Sequence, residues 1–491
     1  MKNKVILIVR DGWGYRAEEE KNFVKLAKTK NIDKLEKKYP TLLLEASGPA
    51  VGLPKGFMGN SEVGHMTLGA GQILKQSLLR INESIEKNDF QKLENLKWLF
   101  QKVKENSSKL HLIILFQKAG VHSHLDHLFA TLEAAKNFGF QKDEVFIHMI
   151  TDGRDEDREA GISFFQEAQA KIKELSLGKI VSVSGRYFAM DRNNNWERTE
   201  KYYSAIVEAD AKKIDSIEKY LEENYQKSVT DEFIEPAVLK EYPGMNEKDG
   251  VFFLNFRKDR ARQLTKSFNE LDLKQFKRRK FPKIFLLTMT RYYNEADNRV
   301  LFDDLKVENT LGEILEKEGK TQLRIAETEK FAHVTFFFDG GVKKNYSGKT
   351  ETIIPSPDVS TYDLKPEMSA HEVTDWILHE AKKNDFDFIL VNFANPDMVG
   401  HTGNFEAIKK AVETIDLEVG RIYKKLHKKY NIILTGDHGN VEDKREKTLT
   451  THTTNPVPTT FIADKDDLKK IDFDKLKGLA DLKDVVLKWI L

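Results

Sequence analysis

The chain has no cysteine in its 491 residues. Disulfides, thiolate metal sites and cysteine nucleophiles are therefore excluded, and a reducing compartment is the fitting environment. It also lacks a charge excess: 79 Lys and Arg stand against 78 Asp and Glu, a formal net charge of +1. That balance gives no reason to expect nucleic acid as a partner, and any basic site must be a local cluster. Long apolar runs are missing as well. None approaches the ~20 residues that cross a bilayer, so no membrane association is expected. The opening "MKNKVILIVRDGWG" has an apolar run stopped by Arg10 and Asp11. It is too short for a signal-peptide core and has no small-residue cleavage site, which makes a cytoplasmic location the expectation. There is no internal repeat, no low-complexity linker, and no Walker-type or G-x-G-x-x-G loop after a strand.

What is present reads as a large globular protein: 40% hydrophobic and 32% charged residues, in a chain long enough for two to four domains. Eight short apolar runs look like buried strands. They are "KVILIVR", "KLHLIILFQ", "EVFIHMI", "KIVSVSG", "GVFFLNF", "KIFLLTM", "FDFILVNF" and "NIILTG". Stretches of helical spacing such as "ETIDLEVGRIYKKLHKKY" lie between them. The alternation predicts an α/β protein whose parallel sheet is covered on both faces. Asn309 and Thr310 before "LGEILEKEGK" read as a helix start, and the lysine-rich "KQFKRRKFPK" as solvated surface.

Three of the strands deliver acids and histidines at their carboxyl ends, the edge where open α/β sheets bind ligands. The first ends in Asp11. "FDFILVNF" runs into Asp397 and His401, and "NIILTG" into Asp437 and His438. A single Asp there commonly starts a turn or caps a helix, and a single histidine is usually an ordinary polar residue. The group is harder to dismiss, and "LTTHTTNPVP" adds His452 in a polar loop close behind. The set contains no sulfur, which suits Mn²⁺, Mg²⁺ or Zn²⁺. With Ser61 there are seven candidate ligands, too many for one ion with open positions. Two ions a few ångströms apart fit better, and such pairs serve phosphoryl and hydrolytic chemistry.

Ser61 sits in "GFMGNSEVGHMTLGAG". It reads as the cap of a helix beginning there. It reads equally as a nucleophile, because a helix N-terminus favours phosphate and a metal lowers the pKa of a hydroxyl. The middle of the chain carries a basic set after successive strands: His122, Arg154, Asp155, Arg186, Arg192, Arg257 and Arg260, with Lys330 a further candidate. Arginine forks match carboxylate and phosphate, and their repetition at strand ends argues for one anionic small-molecule site. Arg257 and Arg260 would share a face on a helical turn. Two other readings stand beside this one. "HSHLDH", residues 122 to 127, fits the H-x-H-x-D-H pattern of metallo-β-lactamase-type hydrolases. A non-catalytic anion-binding protein on an α/β scaffold would hold phosphate without turnover.

Taken in order, "DGWG", "GNSEVGH", "GVHSHLDHL", "TDGRD", "GRYFAMDR", "NFRKDRAR", "TEKFAHVTFFFDGG", "TYDLKPEMSA", "NPDMVGHTG", "DHGN" and "HTTNPVP" resemble the cofactor-independent phosphoglycerate mutases over nearly the whole chain. The resemblance implies an alkaline-phosphatase-like parallel-sheet domain, residues 1–76 and 305–491, with an inserted α/β phosphotransferase domain at 77–304. It implies two Mn²⁺ (manganese) ions, with Mg²⁺, Co²⁺ or Zn²⁺ as substitutes. Asp397, His401 and His452 would hold one, and Asp11, Ser61, Asp437 and His438 the other. Ser61 would carry the phosphoryl group between the positions of 3-phosphoglycerate and 2-phosphoglycerate, with Asp155 as the base. His122, Arg154, Asp155, Arg186, Arg192, Arg257, Arg260 and Lys330 would bind the phosphoglycerate. A small-molecule substrate and a monomer are the partner expectations. Closure of the two lobes would exclude water from the reaction. A metal-dependent phosphatase or phosphopentomutase of the same superfamily is the rival. Gln72, Asn193 and Tyr293 depart from the family pattern and bear on local packing.

Overall fold

The chain leaves one folded unit, builds a second, and returns to the first. The computed structural model describes residues 2–491. The N-terminal segment supplies β1 (Val5–Arg10) and β2 (Thr41–Leu44). The middle supplies β3 (Leu110–Leu115), β4 (Val145–Thr151), β5 (Lys179–Gly185), β6 (Lys212–Ile214), β7 (Ala237–Leu239), β8 (Gly250–Phe253), β9 (Phe285–Thr290) and β10 (Arg299–Phe302). The remainder supplies β11 (Gln322–Glu327), β12 (Lys349–Ile354), β13 (Phe388–Phe393), β14 (Asn431–Gly436) and β15 (Val457–Ile462). One compact unit comprises the segment up to Gln76 together with Leu305–Leu491, and the other is Ser77–Asp304.

The first unit is a seven-stranded sheet in the order β12-β11-β13-β1-β14-β15-β2. Only β15 runs against its neighbours β14 and β2. β1, β13 and β14 are buried along their whole length, as continuous apolar strands in a doubly covered parallel sheet should be. Alternation divides the residues of β1 between two cores. Ile6 and Ile8 join Val412, Ile415 and Val419 of the helix Phe405–Leu426 on one face. Val5, Leu7 and Val9 join Leu68 of the helix Ser61–Ala70 and Trp489 near the C-terminus on the other.

The second unit is an eight-stranded sheet in the order β10-β9-β8-β3-β4-β5-β7-β6, parallel except where β7 meets β5. The α/β class expected from the sequence is the class observed. The expected helix start is there too: Thr310 accepts from the Glu313 amide and Glu313 reaches back, a capping box opening the helix Leu311–Lys317.

Candidate active site

The centre of the first sheet fixes the site. Arg10 pairs in register with Phe393 of β13 and Gly436 of β14, so the residues that follow these three strands emerge side by side. They are Asp11, the short helix Asn395–Gly400 bearing Asp397, and Asp437 with His438. The fourth wall is the helix Ser61–Ala70. Its N-cap is Asn60, whose side chain accepts from the Val63 amide. Ser61 is therefore the first helical residue rather than the cap, and its hydroxyl is left for the site. Gly64 lets this helix close on Asp437, since a Cβ there would lie 2.6 Å from the Asp437 carbonyl oxygen.

Ser61 Oγ lies 3.1 Å from Asp11 Oδ1, 3.1 Å from His438 Nε2 and 2.7 Å from Lys330 Nζ. The Lys330 ammonium also donates to Asp11 Oδ1 at 2.8 Å and Asp397 Oδ2 at 2.7 Å. All five side chains are buried. Burial is the largest single influence and opposes ionisation of Asp11 and Asp397, but the Lys330 ammonium and His438, with His401 and His452 added at Asp397, together outweigh it and hold both carboxyls well below the usual range. Burial likewise disfavours the charge on Lys330, and Asp11, Asp397 and Asp437 reverse that and hold it protonated. For His438 burial acts downward, and Asp437, Asp397 and Asp11 together push it up to about 10.

The histidines are oriented as metal ligands are. His401 Nδ1 donates to the Thr450 carbonyl at 2.8 Å and His452 Nδ1 to the Gly59 carbonyl at 2.9 Å. Their Nε2 atoms then turn to one point, 3.0 Å from each other and 3.3 and 3.2 Å from Asp397 Oδ1. Fixing the tautomer through the far nitrogen is how proteins prepare a ligating imidazole. Asp397, His438 and His452 offer ligand atoms within 4.8 Å of one another, and so do Asp11, Asp437 and His438. His438 belongs to both groups, and the donors of the two sets form one continuous cluster.

A second cluster lies in the other unit, at the carboxyl ends of β3, β4, β5 and β8. Arg186 is buried at its centre. Its Nη1 donates to Asp152 Oδ1 at 2.6 Å and Asp155 Oδ2 at 2.5 Å, and its Nη2 to His122 Nε2 at 2.9 Å. Burial, then Arg186 and Arg257, push His122 down to about 3, so the ring is neutral. Burial would raise Asp155, but Arg186 and His122 lower it, so it is a carboxylate. Arg192 donates to Asp259 at 2.6 Å, and Arg257 lies 3.3 Å from the same acid. Arg260 is depressed by burial first and then by Arg186, Arg192 and Arg154, which places all four in one positive field. Arg257 is in irregular backbone and Arg260 in a turn before the helix Arg262–Asn269. They do not share a helical face; Asp259 joins Arg257 to Arg192, and Arg260 donates to the Met190 carbonyl at 3.2 Å.

Of the residues predicted from sequence, Asp11, Ser61, Lys330, Asp397, His401, Asp437, His438 and His452 come together in the first unit. His122, Arg154, Asp155, Arg186, Arg192, Arg257 and Arg260 do so in the second. Lys330 stands with the metal-ligand set rather than with the arginines of its own list. "HSHLDH" does not form a metal site: His124 caps the helix Leu125–Asn137 and His127 is bonded to Asn82 at 2.9 Å. Neither is in a metal-binding group among the described residues. Sequence reasoning missed Asp152, Gln117, Asn440 and Glu442. Gln117 donates to Asp152 at 2.7 Å, and Asn440 to Asp397 Oδ1 at 2.7 Å. Buried Glu442 accepts from Gly14, Asn440, Thr453 and Asn455, tying together the segments that carry Asp11, His438 and His452. Asp152 lies inside "TDGRD", Asn440 inside "DHGN" with Glu442 just after it, and Gln117 just before "GVHSHLDHL"; that adjacency was the available signal. Of the departures, Gln72 and Asn193 are exposed, and Tyr293 is buried with its hydroxyl accepting from Asn269 at 3.2 Å.

Residues 3–491 match the family described as Metalloenzyme superfamily. A 2,3-bisphosphoglycerate-independent phosphoglycerate mutase of Staphylococcus saprophyticus is 46% identical over 98% of this chain and 95% of its own length. One of Clostridioides difficile is 46% identical with the same coverage. Among solved structures, phosphoglycerate mutase of Leishmania mexicana, determined at low cobalt concentration, aligns with a TM-score of 0.72 and 29% identity, covering 98% of this chain and 94% of that one.

Proposed function

The chain belongs to the Metalloenzyme superfamily and, within it, to the 2,3-bisphosphoglycerate-independent phosphoglycerate mutases, and on that premise we propose how its residues divide the work. It is an isomerase that interconverts 3-phosphoglycerate and 2-phosphoglycerate without bisphosphoglycerate. The carrier is Ser61. What supports this reading is the position of its Oγ, within 3.1 Å of Asp11 and His438 and 2.7 Å of the Lys330 ammonium.

The donor set fits divalent cations. Two imidazole Nε2 atoms and a carboxylate oxygen converge, and the remaining donors are oxygen and nitrogen. Asp397, His401 and His452 would hold one Mn²⁺, and Asp11, Ser61, Asp437 and His438 a second. When bound, the cations make the serine hydroxyl more acidic and stabilise charge on the transferring phosphoryl group.

The chain's own groups do the rest. Ser61 Oγ, its hydroxyl already aimed at Asp11 Oδ1, attacks phosphorus; the P–O bond to glycerate breaks, the departing oxygen takes up the proton that Ser61 gives up, and the glycerate stays bound. Lys330 opposes the negative charge that develops on the oxygens. We assign the arginine cluster to binding the anionic groups of the phosphoglycerate. For the return transfer we assign Asp155 as the base for the other hydroxyl of the glycerate, and the Ser61 oxygen regains its proton as the phosphoryl group leaves. The lowered pKa of Asp155 keeps it ionised for this step. We assign the metal-ligand and phosphoserine functions to the unit containing Ser61, and substrate recognition to the inserted unit.

The test is turnover of metal-stripped protein with Mn²⁺, Mg²⁺, Co²⁺ or Zn²⁺ added back separately and no bisphosphoglycerate, together with Ser61→Ala. Wild type is expected to form a phosphopeptide containing Ser61 and to release little inorganic phosphate, whereas Ser61→Ala stays folded and inactive. Normal mutase turnover by Ser61→Ala would end this mechanism, and stoichiometric phosphate release by wild type would favour a phosphatase.

A further inference from the structure

β13 is apolar except for one residue, Asn392, fully buried in the middle of the sheet. Among the described residues its Oδ1 has no hydrogen-bond partner. A buried polar side chain kept there at a cost in stability calls for an explanation. Its Nδ2 is fully used: it donates to Asp11 Oδ2 at 2.6 Å and lies 3.1 Å from His65 Nε2. His65 is also fully buried. Its Nδ1 is 2.9 Å from the Ser61 carbonyl, one helical turn earlier, and 3.3 Å from Asp437 Oδ2. Both neighbours of Nδ1 accept, so Nδ1 carries the proton and Nε2 is left as an acceptor for Asn392. The reverse orientation of the Asn392 amide would set its oxygen against the Asp11 carboxylate.

These bonds close a ring. Asp11 Oδ1 accepts from the Ser61 hydroxyl at 3.1 Å, and Asp11 Oδ2 is tied through Asn392 and His65 to the carbonyl of the same serine. We propose that His65 and Asn392 are positioning residues that lock the Asp11 carboxylate against Ser61, so that the hydroxyl and its carboxylate partner keep one geometry through the phosphoryl transfer. The inference rests on the reading of Ser61 as the phosphoryl carrier and Asp11 as a cation ligand. Neither residue touches substrate in it. Asn392 engages only Oδ2 of Asp11 and leaves Oδ1 to Ser61 and Lys330, and His65 restrains the first turn of the helix that delivers Ser61.

The experiment compares Asn392→Leu, Asn392→Asp, His65→Asn and the double variant His65→Asn/Asn392→Leu with wild type in the full chain. The measurements are kcat, KM, Mn²⁺ titration followed by electron paramagnetic resonance, and phosphorylation of Ser61. Asn392→Asp keeps shape and polarity but cannot donate at neutral pH, so it serves if the leucine variant fails to fold. Each single variant is expected to lose about ten- to a hundredfold in kcat, the range of outer-shell partners of metal ligands. KM should change little, and Mn²⁺ affinity should weaken at one class of site only. The double variant should lose no more than the worse single one, because both break the same ring. Folded variants with wild-type kcat and Mn²⁺ binding, or losses that multiply in the double variant, would overturn the ring. A wild type that neither binds Mn²⁺ nor phosphorylates Ser61 would instead overturn the underlying reading.

Discussion

His401 and His452 point their Nε2 atoms at each other across 3.0 Å after each has given its Nδ1 proton to a backbone carbonyl. Two facing lone pairs repel unless a positive centre lies between them and Asp397 Oδ1. A divalent cation should therefore bind the folded state far better than the unfolded chain. Mn²⁺ at about a hundred times its Kd is expected to add about 2.7 kcal/mol to stability. Chelation should remove that gain, and His452→Ala should blunt it. Thermal unfolding with and without chelator measures both.

Lys330 is a buried ammonium held by Asp11, Ser61 and Asp397. Removing one member of a buried ionic group leaves the others uncompensated, typically at ~3–5 kcal/mol. Lys330→Met should cost that much in metal-free protein. The loss should shrink with saturating Mn²⁺, because the cations then neutralise the same carboxylates. Equal losses under both conditions in denaturant titrations would mean that Lys330 and the cations do not share this charge.

The eight apolar runs read from the sequence are strands, because a strand buried on both faces must be apolar throughout. The strands not legible there have other reasons to exist. β12 is an edge strand with no buried residue. β6 and β7 are three residues each. β11 is fully buried yet contains Arg324, whose guanidinium lies over the Phe338 ring, 4.2 Å from its centroid. β15 carries Thr459, whose hydroxyl pairs with Thr435 at 2.7 Å. The ligands were legible because acids and histidines at strand ends have few other uses in combination. Asn392, Glu442 and Asp152 were not, because a side chain that holds another side chain leaves no spacing rule in the sequence.

Glu327 is buried at the end of β11 and accepts from the Ser369 amide at 3.0 Å and the Ser356 hydroxyl at 3.1 Å. Burial raises its carboxyl to about 7 against those bonds. Below about pH 4.5 both folded and unfolded chains hold the proton. Between about 4.5 and 7 the unfolded chain releases it first, so stability falls as pH rises, by up to ~3 kcal/mol, and then levels off. Glu327→Gln should lack this slope. Urea unfolding at pH 5, 6, 7 and 8 resolves it.

In the second unit a buried chain crosses the sheet: Asp249 to His111 at 3.2 Å, His111 to His148 at 3.0 Å, and His148 to Ser182 at 2.8 Å. Burial, with His111 adding to it, holds His148 well below the ordinary histidine range, so the folded state keeps it neutral. The unfolded chain takes up the proton near pH 6.5. The sign is therefore opposite to that of Glu327: stability is present above about 6.5 and is lost as pH falls, by ~1.4 kcal/mol per pH unit. His148→Gln should flatten this acid limb at the expense of some stability at neutral pH. Unfolding titrations in the Glu327→Gln background, which lacks the opposing slope, check this; equal stability with and without His148→Gln at pH 5 relative to pH 7 would rule out His148 as the source of the acid limb.

Gly64 is the closest approach between the Ser61 helix and the β14 end. A methyl group would stand 2.6 Å from the Asp437 carbonyl oxygen and 3.0 Å from its Cβ. Backbone cannot yield to such a contact as a flexible side chain can, so the helix must shift outward. The helix interior itself gains from alanine, by roughly 0.5–1 kcal/mol. Gly64→Ala therefore sets local propensity against the site. The expected result is a folded protein with Ser61 displaced from Asp11 and His438, a large fall in kcat, and weaker Mn²⁺ binding through Asp437. A Gly64→Ala variant with undiminished kcat would mean that the helix has room that this packing denies it.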